Sequence, residues 1–282
     1  MIICCNQIPD PIEQTNKTKE KIGRRFYSKT VADTFSTFVN LPNGYNPQQT
    51  KKYPVVYLLD ANLYFDIIAT TINEYSEVGL APSVILVGIG YKDFPTMDSL
   101  RNRDYTYPTA IPEYEMTVSG GADKFLTFIN SELIPYTDKE YKTDTSKRIL
   151  MGHSLGGYFA TYALLQDLMG KNNSFSSYIA ASPSIHYNKY YLLNQLKETS
   201  QQKNRNKKIR AYITYGGLED GENANDSGLI KLSEVSAQLS KLLSEKQSDY
   251  IIYKGDTYSN LDHMDTQLPT FIKGLQWTLS GK

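Results

Sequence analysis

Cysteine is nearly absent from this 282-residue chain, and the two it has are adjacent, at Cys4 and Cys5. Neighbouring cysteines cannot staple distant parts of a fold, so no disulfide framework is expected. Histidine is almost as sparse, with His153, His186 and His263 scattered along the chain. No C-x-x-C or H-E-x-x-H pattern occurs, which removes the usual zinc arrangements, and neither a metal nor a cofactor is expected. An excess of charge of either sign is missing too. Lys plus Arg and Asp plus Glu both number 30, which leaves no electrostatic case for nucleic acid as a partner. No apolar window is long enough to cross a membrane as a helix.

The start is unusual. Met1-Ile2-Ile3-Cys4-Cys5-Asn6 leads into a polar stretch, so residues 1–20 are expected to form a flexible tether. Were the chain exported, Cys4 or Cys5 would carry a lipid anchor. The full apolar region of an export signal is not there. The expectation leans to a periplasmic or lipid-anchored location over a cytoplasmic one.

What is present is core-forming sequence, 40% hydrophobic and 12% aromatic. Arg25 to Leu41 alternates apolar and polar residues, as antiparallel strands with one wet face do. Continuous apolar runs at Tyr53–Asp60 and Ser83–Gly90 predict parallel strands buried on both faces. A long loop is expected from Tyr91 to Val118, then a helix over Ala122–Ile134. Strands are predicted at Lys147–Met151, Ser177–Ala181, Ile209–Tyr215 and Tyr250–Tyr253. Helices are predicted at Tyr64–Val78, Leu155–Leu168, Tyr187–Leu196 and Leu229–Ser244, with a closing helix from about Asp265 to Leu279. Strands alternating with helices imply an α/β class fold, a mostly parallel central sheet with helices on both faces. Residues 21–282 are expected to make a single domain.

The strand at Lys147–Met151 runs into Gly152-His153-Ser154-Leu155-Gly156 and then a helix. That is the G-x-S-x-G pattern in the strand–turn–helix context of a nucleophile elbow, with Ser154 at its apex. A serine there needs a base, because a free hydroxyl is a poor nucleophile near neutral pH. His263 follows the last strand, where the chain order Ser…acid…His puts it. His186, just past another strand end, borders the site or packs. His153, beside the serine, is expected to point away from it. The acid belongs after the strand ending at Tyr215, where the loop Gly216–Asp226 holds four carboxylates. Glu219 is favoured over Asp220, and a Ser–His pair without an acid stays open. The oxyanion hole is expected from the N–H of Leu155 and an N–H after Asp60, that of Asn62 or else Ala61.

On these residues the chain resembles the esterase-D-like branch of the α/β-hydrolases, the family of the enterobactin and salmochelin esterases. The resemblance runs from about residue 35 to the end. It rests on Leu58-Leu59-Asp60, on Arg101-Asn102-Arg103-Asp104-Tyr105-Thr106-Tyr107-Pro108-Thr109, on Gly120-Gly121-Ala122-Asp123-Lys124-Phe125, on the elbow with Gly157, and on Ala181-Ser182-Pro183-Ser184. It implies the α/β-hydrolase fold and a serine esterase of Ser–His–acid type acting on a small-molecule ester, siderophore trilactones among the substrates. It also aligns Gly216-Gly217-Leu218-Glu219 with a Gly-x-x-Glu acid motif. Ala61 departs from the family's glycine, and His186-Tyr187 from its tryptophans. Arg101 and Arg103 are candidates to hold an anionic substrate, with Tyr105 and Tyr107 stacking on its rings, against the alternative that Arg103 and Asp104 pin the loop. The rival functions are a carbohydrate esterase removing acetyl or feruloyl groups and an inactive ligand-binding relative.

Overall fold

The computed structural model describes residues 22–199, 208–222, 230–246 and 251–280. The expected tether, Cys4, Cys5 and any lipid anchor lie outside the described residues, as does Asp226 of the acidic loop. The described residues form one eight-stranded sheet. In chain order its strands are β1 (Ile22–Ser28), β2 (Asp33–Asn40), β3 (Tyr53–Leu58), β4 (Ile85–Gly90), β5 (Thr143–His153), β6 (Ser177–Ala181), β7 (Ile209–Gly216) and β8 (Ile251–Tyr258). Their spatial order is β1-β2-β4-β3-β5-β6-β7-β8. β1 and β2 are antiparallel to their neighbours, and every pair from β4 across to β8 is parallel.

Both strand types read as the sequence predicts. β2 buries Phe35, Thr37 and Val39 and leaves the intervening residues partly exposed, the pattern of an antiparallel strand with one solvated face. β3 has no exposed face from Val55 to Leu58. Because successive side chains of a strand point to opposite faces, Val55 and Tyr57 enter one core while Val56 and Leu58 enter the other. Burying each such side chain is worth roughly 1.5–3 kcal/mol.

Two helices cover the Val56–Leu58 face, α1 (Ala61–Glu77) and α9 (Gln267–Leu279), which supply Phe65, Ile68, Phe271 and Leu275. The opposite face is covered by α2 (Phe94–Tyr105), α3 (Ala122–Phe128), α5 (Leu155–Leu168), α6 (Tyr187–Glu198) and α8 (Leu232–Glu245). After α3 the chain continues through a π turn at Ile129–Leu133 into α4 (Ile134–Glu140), so this helix outruns its predicted end at Ile134. A short α7 (Glu219–Glu222) follows β7.

The segment Tyr91–Val118 corrects an expectation, since α2 occupies its first half. Asp93 caps α2 by accepting the Thr96 N–H at 2.9 Å, and Pro95 sits in the first turn, where a missing N–H costs nothing. The chain order also sets where a site can form. From β3 the next strand, β4, lies on one side and β5 on the other, so the loops leaving β3 and β5 diverge and open a crevice at their C-terminal ends.

Candidate active site

Ser154 stands at the end of β5 with φ 57° and ψ −119°, a conformation that lifts its side chain clear of the strand. The glycines make this turn possible. A Cβ on Gly152 would fall 2.5 Å from the backbone of Gly156, and one on Gly157 would fall 2.9 Å from the Ala181 carbonyl. Ser154 N–H donates to Ala181 O at 3.0 Å, and Ser154 O accepts from the Ser184 N–H at 3.2 Å, so the apex is tied to the end of β6. Its hydroxyl lies 3.4 Å from Ser184 Oγ. No hydrogen bond joins Ser154 to His263 among the described residues.

His263 lies in the turn between β8 and α9, with Nδ1 2.8 Å from Glu219 Oε2. Glu219 has only 1% of its surface exposed, and its other oxygen is occupied as well. Oε1 accepts from Ser182 Oγ at 2.6 Å and from the Gly216 N–H at 2.5 Å. Burial by itself would raise the Glu219 pKa. The hydrogen bonds from His263, Ser182 and Gly216 outweigh it and hold the carboxyl below its ordinary value. An ionised Glu219 only accepts, so His263 Nδ1 carries a hydrogen, and in the neutral ring Nε2 is the nitrogen that keeps its lone pair. Asp220 faces elsewhere. It accepts from the Ser233 N–H at 2.9 Å and from Ser233 Oγ at 2.5 Å, at the start of α8.

Ser154, Ser182, Pro183, Ser184, His186, Glu219, Leu232 and His263 line a cleft of about 260 Å³. The expected serine, histidine and glutamate therefore share one cavity, while Leu155, Asn62, Arg101, Arg103 and Tyr105 are not in its lining. Leu155 is the first residue of α5, and Ala61 and Asn62 are the first two of α1, so their N–H groups have no intrahelical acceptor. The Asn62 side chain is turned to the Tyr91 backbone, accepting its N–H at 2.7 Å and donating to its carbonyl at 2.9 Å. Its backbone N–H has no hydrogen-bond acceptor among the described residues.

The structure places the residues expected to bind substrate in contacts within the protein. Tyr105 is completely buried, and its hydroxyl accepts the Asp60 N–H at 3.2 Å, so it has no surface to stack on a ligand. Arg103 forks onto Asp104 at 2.8 and 3.0 Å and reaches Asp33 at 2.8 Å, which is the pinning alternative. Arg101 forks onto Asp60 at 3.0 and 2.8 Å. The physical reason is α2 itself. As a helix it turns residues 101 and 105, four apart, toward the core together.

The esterase family model matches residues 28–257 of the chain. The chain belongs to the esterase family. It is a serine hydrolase of carboxylic esters with the α/β-hydrolase fold, as expected. Ferri-bacillibactin esterase BesA of Bacillus subtilis (strain 168) is 36% identical over 208 residues, 70% of each chain. Apo-salmochelin esterase of Escherichia coli O6:H1 is 24% identical over 237 residues, 81% of this chain and 70% of its own. The crystal structure of the BES protein from Bacillus cereus superposes with a TM-score of 0.79 at 25% identity, covering 99% of this chain and 98% of that one.

Behind the cleft of this esterase runs a buried polar chain that sequence reasoning missed. Ser182 Oγ lies 2.7 Å from Thr266 Oγ1, Thr270 Oγ1 donates to Thr266 O at 2.5 Å, and Thr214 Oγ1 lies 2.5 Å from Thr270 Oγ1. The only advance signal was position, because Ser182 and Ser184 sit just past the C-terminal end of β6. His186 also borders the cleft. Burial and then the neighbouring His263 lower its pKa, so its ring favours the neutral form. Among the described residues, no cluster of three His, Cys, Asp or Glu side chains could hold a metal ion, and no helix is long and apolar enough to cross a membrane.

Proposed function

We propose that Ser154 is the nucleophile of this esterase, His263 its general base and Glu219 the orienting acid, and that the substrate is a siderophore-type lactone. Ser154 turns from Ser184 toward His263, whose Nε2 takes the hydroxyl proton as Oγ adds to the ester carbonyl. The oxyanion that forms accepts from the N–H groups of Leu155 and Asn62, each such donor being worth about 3 kcal/mol at the transition state. Collapse breaks the ester C–O bond, and His263 returns the proton to the departing alkoxide. Water, deprotonated by His263, then releases the acid from Ser154.

The single observation that carries this reading is the 2.8 Å contact between His263 Nδ1 and Glu219 inside the cleft that Ser154 lines. It leaves Nε2 as the one ring nitrogen able to act as base. The substrate class is supported by the relatives, among them a ferri-bacillibactin esterase and an apo-salmochelin esterase. The experiment compares ferric and iron-free trilactones with p-nitrophenyl butyrate. Higher kcat/KM on a trilactone is expected. Equal or lower values on the lactones would remove the substrate assignment, and undiminished turnover by Ser154→Ala would remove the mechanism.

A further inference from the structure

His153, the residue before Ser154, is buried with 2% of its surface exposed, and its ring does not line the cleft. Its two nitrogens are both engaged. Nε2 lies 2.8 Å from the backbone carbonyl oxygen of His263, and Nδ1 lies 3.0 Å from the Tyr64 hydroxyl. A carbonyl oxygen only accepts, so Nε2 carries the hydrogen, and Nδ1 then presents its lone pair to the Tyr64 O–H. One tautomer satisfies both contacts. Burial, and next the nearby His263, push the His153 pKa down to about 4, so the neutral ring this arrangement needs is the form present near neutral pH.

These contacts join three separate parts of the molecule. Tyr64 belongs to the first turn of α1, two residues after Asn62. His153 closes β5 at the elbow. His263 lies in the turn between β8 and α9, outside any strand or helix, and its carbonyl accepts from side chains, not from a strand or helix partner. On one side Glu219 holds its ring. On the other, its carbonyl accepts from His153 and, at 3.2 Å, from Thr266 Oγ1. The His153 and His263 rings also pack with centroids 4.8 Å apart.

We infer that His153 and Tyr64 are positioning residues. Through the Tyr64–His153–His263 carbonyl chain they set the depth at which the His263 ring meets Ser154. The inference rests on the proposed role of His263 as base. A loose histidine loop still binds ester, but it offers Nε2 at the wrong distance, so the chemical step suffers more than binding.

The test measures the rate of covalent labelling by a fluorophosphonate together with kcat and KM on p-nitrophenyl butyrate, with Tm followed alongside. The variants are Tyr64→Phe, His153→Leu, their double mutant and His153→Gln. Labelling and kcat are expected to fall about fivefold in Tyr64→Phe and about a hundredfold in His153→Leu, with KM within about twofold of wild type. The double mutant should be no slower than His153→Leu, because the tyrosine acts only through the histidine. His153→Gln, which keeps an N–H donor, should recover at least about tenfold over leucine. Wild-type rates in folded Tyr64→Phe, additive losses in the double mutant, or no recovery with glutamine would each overturn the inference. Tyr64→Phe removes one oxygen atom and decides the matter even if His153→Leu does not fold. Failure of the wild type to label, or labelling undiminished in His263→Ala, would instead bring down the underlying role of His263, and the inference with it.

Discussion

Glu219 and His263 are joined at 2.8 Å although they leave different strands, β7 and β8, and stand 44 positions apart. The carboxylate reaches His263 with one oxygen and is locked by Ser182 and the Gly216 N–H with the other. The acid is therefore fixed before any substrate arrives, and it imposes one tautomer on the histidine.

Glu219→Gln should test that imposition. The amide can present N–H as well as oxygen to Nδ1, so the histidine is no longer held with its lone pair at Nε2. We expect kcat/KM to fall by about 10²–10⁴-fold with KM little changed, measured on p-nitrophenyl acetate.

Ser182→Ala takes away one of the two groups locking Glu219 Oε1 and leaves the buried Thr266 hydroxyl without that partner. The expected loss of stability is about 1–3 kcal/mol, read from denaturant midpoints. The acid limb of the pH–rate profile should move to higher pH, since the Glu219 carboxylate loses a stabilising donor.

His153 should make stability depend on pH. Its folded pKa of about 4 lies below the 6.5 of a free histidine, so between those values the unfolded chain binds the proton more readily than the native one. Its stabilising contribution is complete above about pH 6.5 and is lost as pH falls toward 4, on the order of 3 kcal/mol in total. Thermal melts of wild type and His153→Gln across this window should show a shallower slope in the variant. Parallel slopes would contradict the assignment.

Arg103→Ala should separate pinning from substrate binding. The change strips the fork from Asp104, which is only 1% exposed, so a buried carboxylate loses its counter-charge. A loss of about 3 kcal/mol in stability is expected, with KM for a ferric trilactone unchanged. A large rise in KM with no loss of stability would restore Arg103 as a substrate ligand.

Residues 91–118 mark where local sequence was misleading. The Asp93 cap and Pro95 were there to be seen, but Arg101-Asn102-Arg103-Asp104 breaks the apolar rhythm that usually marks a helix. Charges that face inward as ion pairs look, in sequence, like charges that face water. Tyr105 was misplaced for the same reason, since its chemistry suits a ligand as well as a core. Ser182 and Thr266 carried no signal beyond their positions after β6 and before α9.

Local patterns by themselves determined the alternation of β and α, the α/β class, and the turn at Ser154, because each follows from short-range periodicity or from steric limits within five residues. They also ordered Ser154, Glu219 and His263 along the chain. Only the tertiary structure decided that Glu219 and not Asp220 meets His263, that Arg101 and Arg103 are spent on buried carboxylates, and that His153 reaches the His263 carbonyl. Those are contacts between side chains brought together by the crossing of separate strands, and their ångström-scale distances are set by packing, which no run of neighbouring residues encodes.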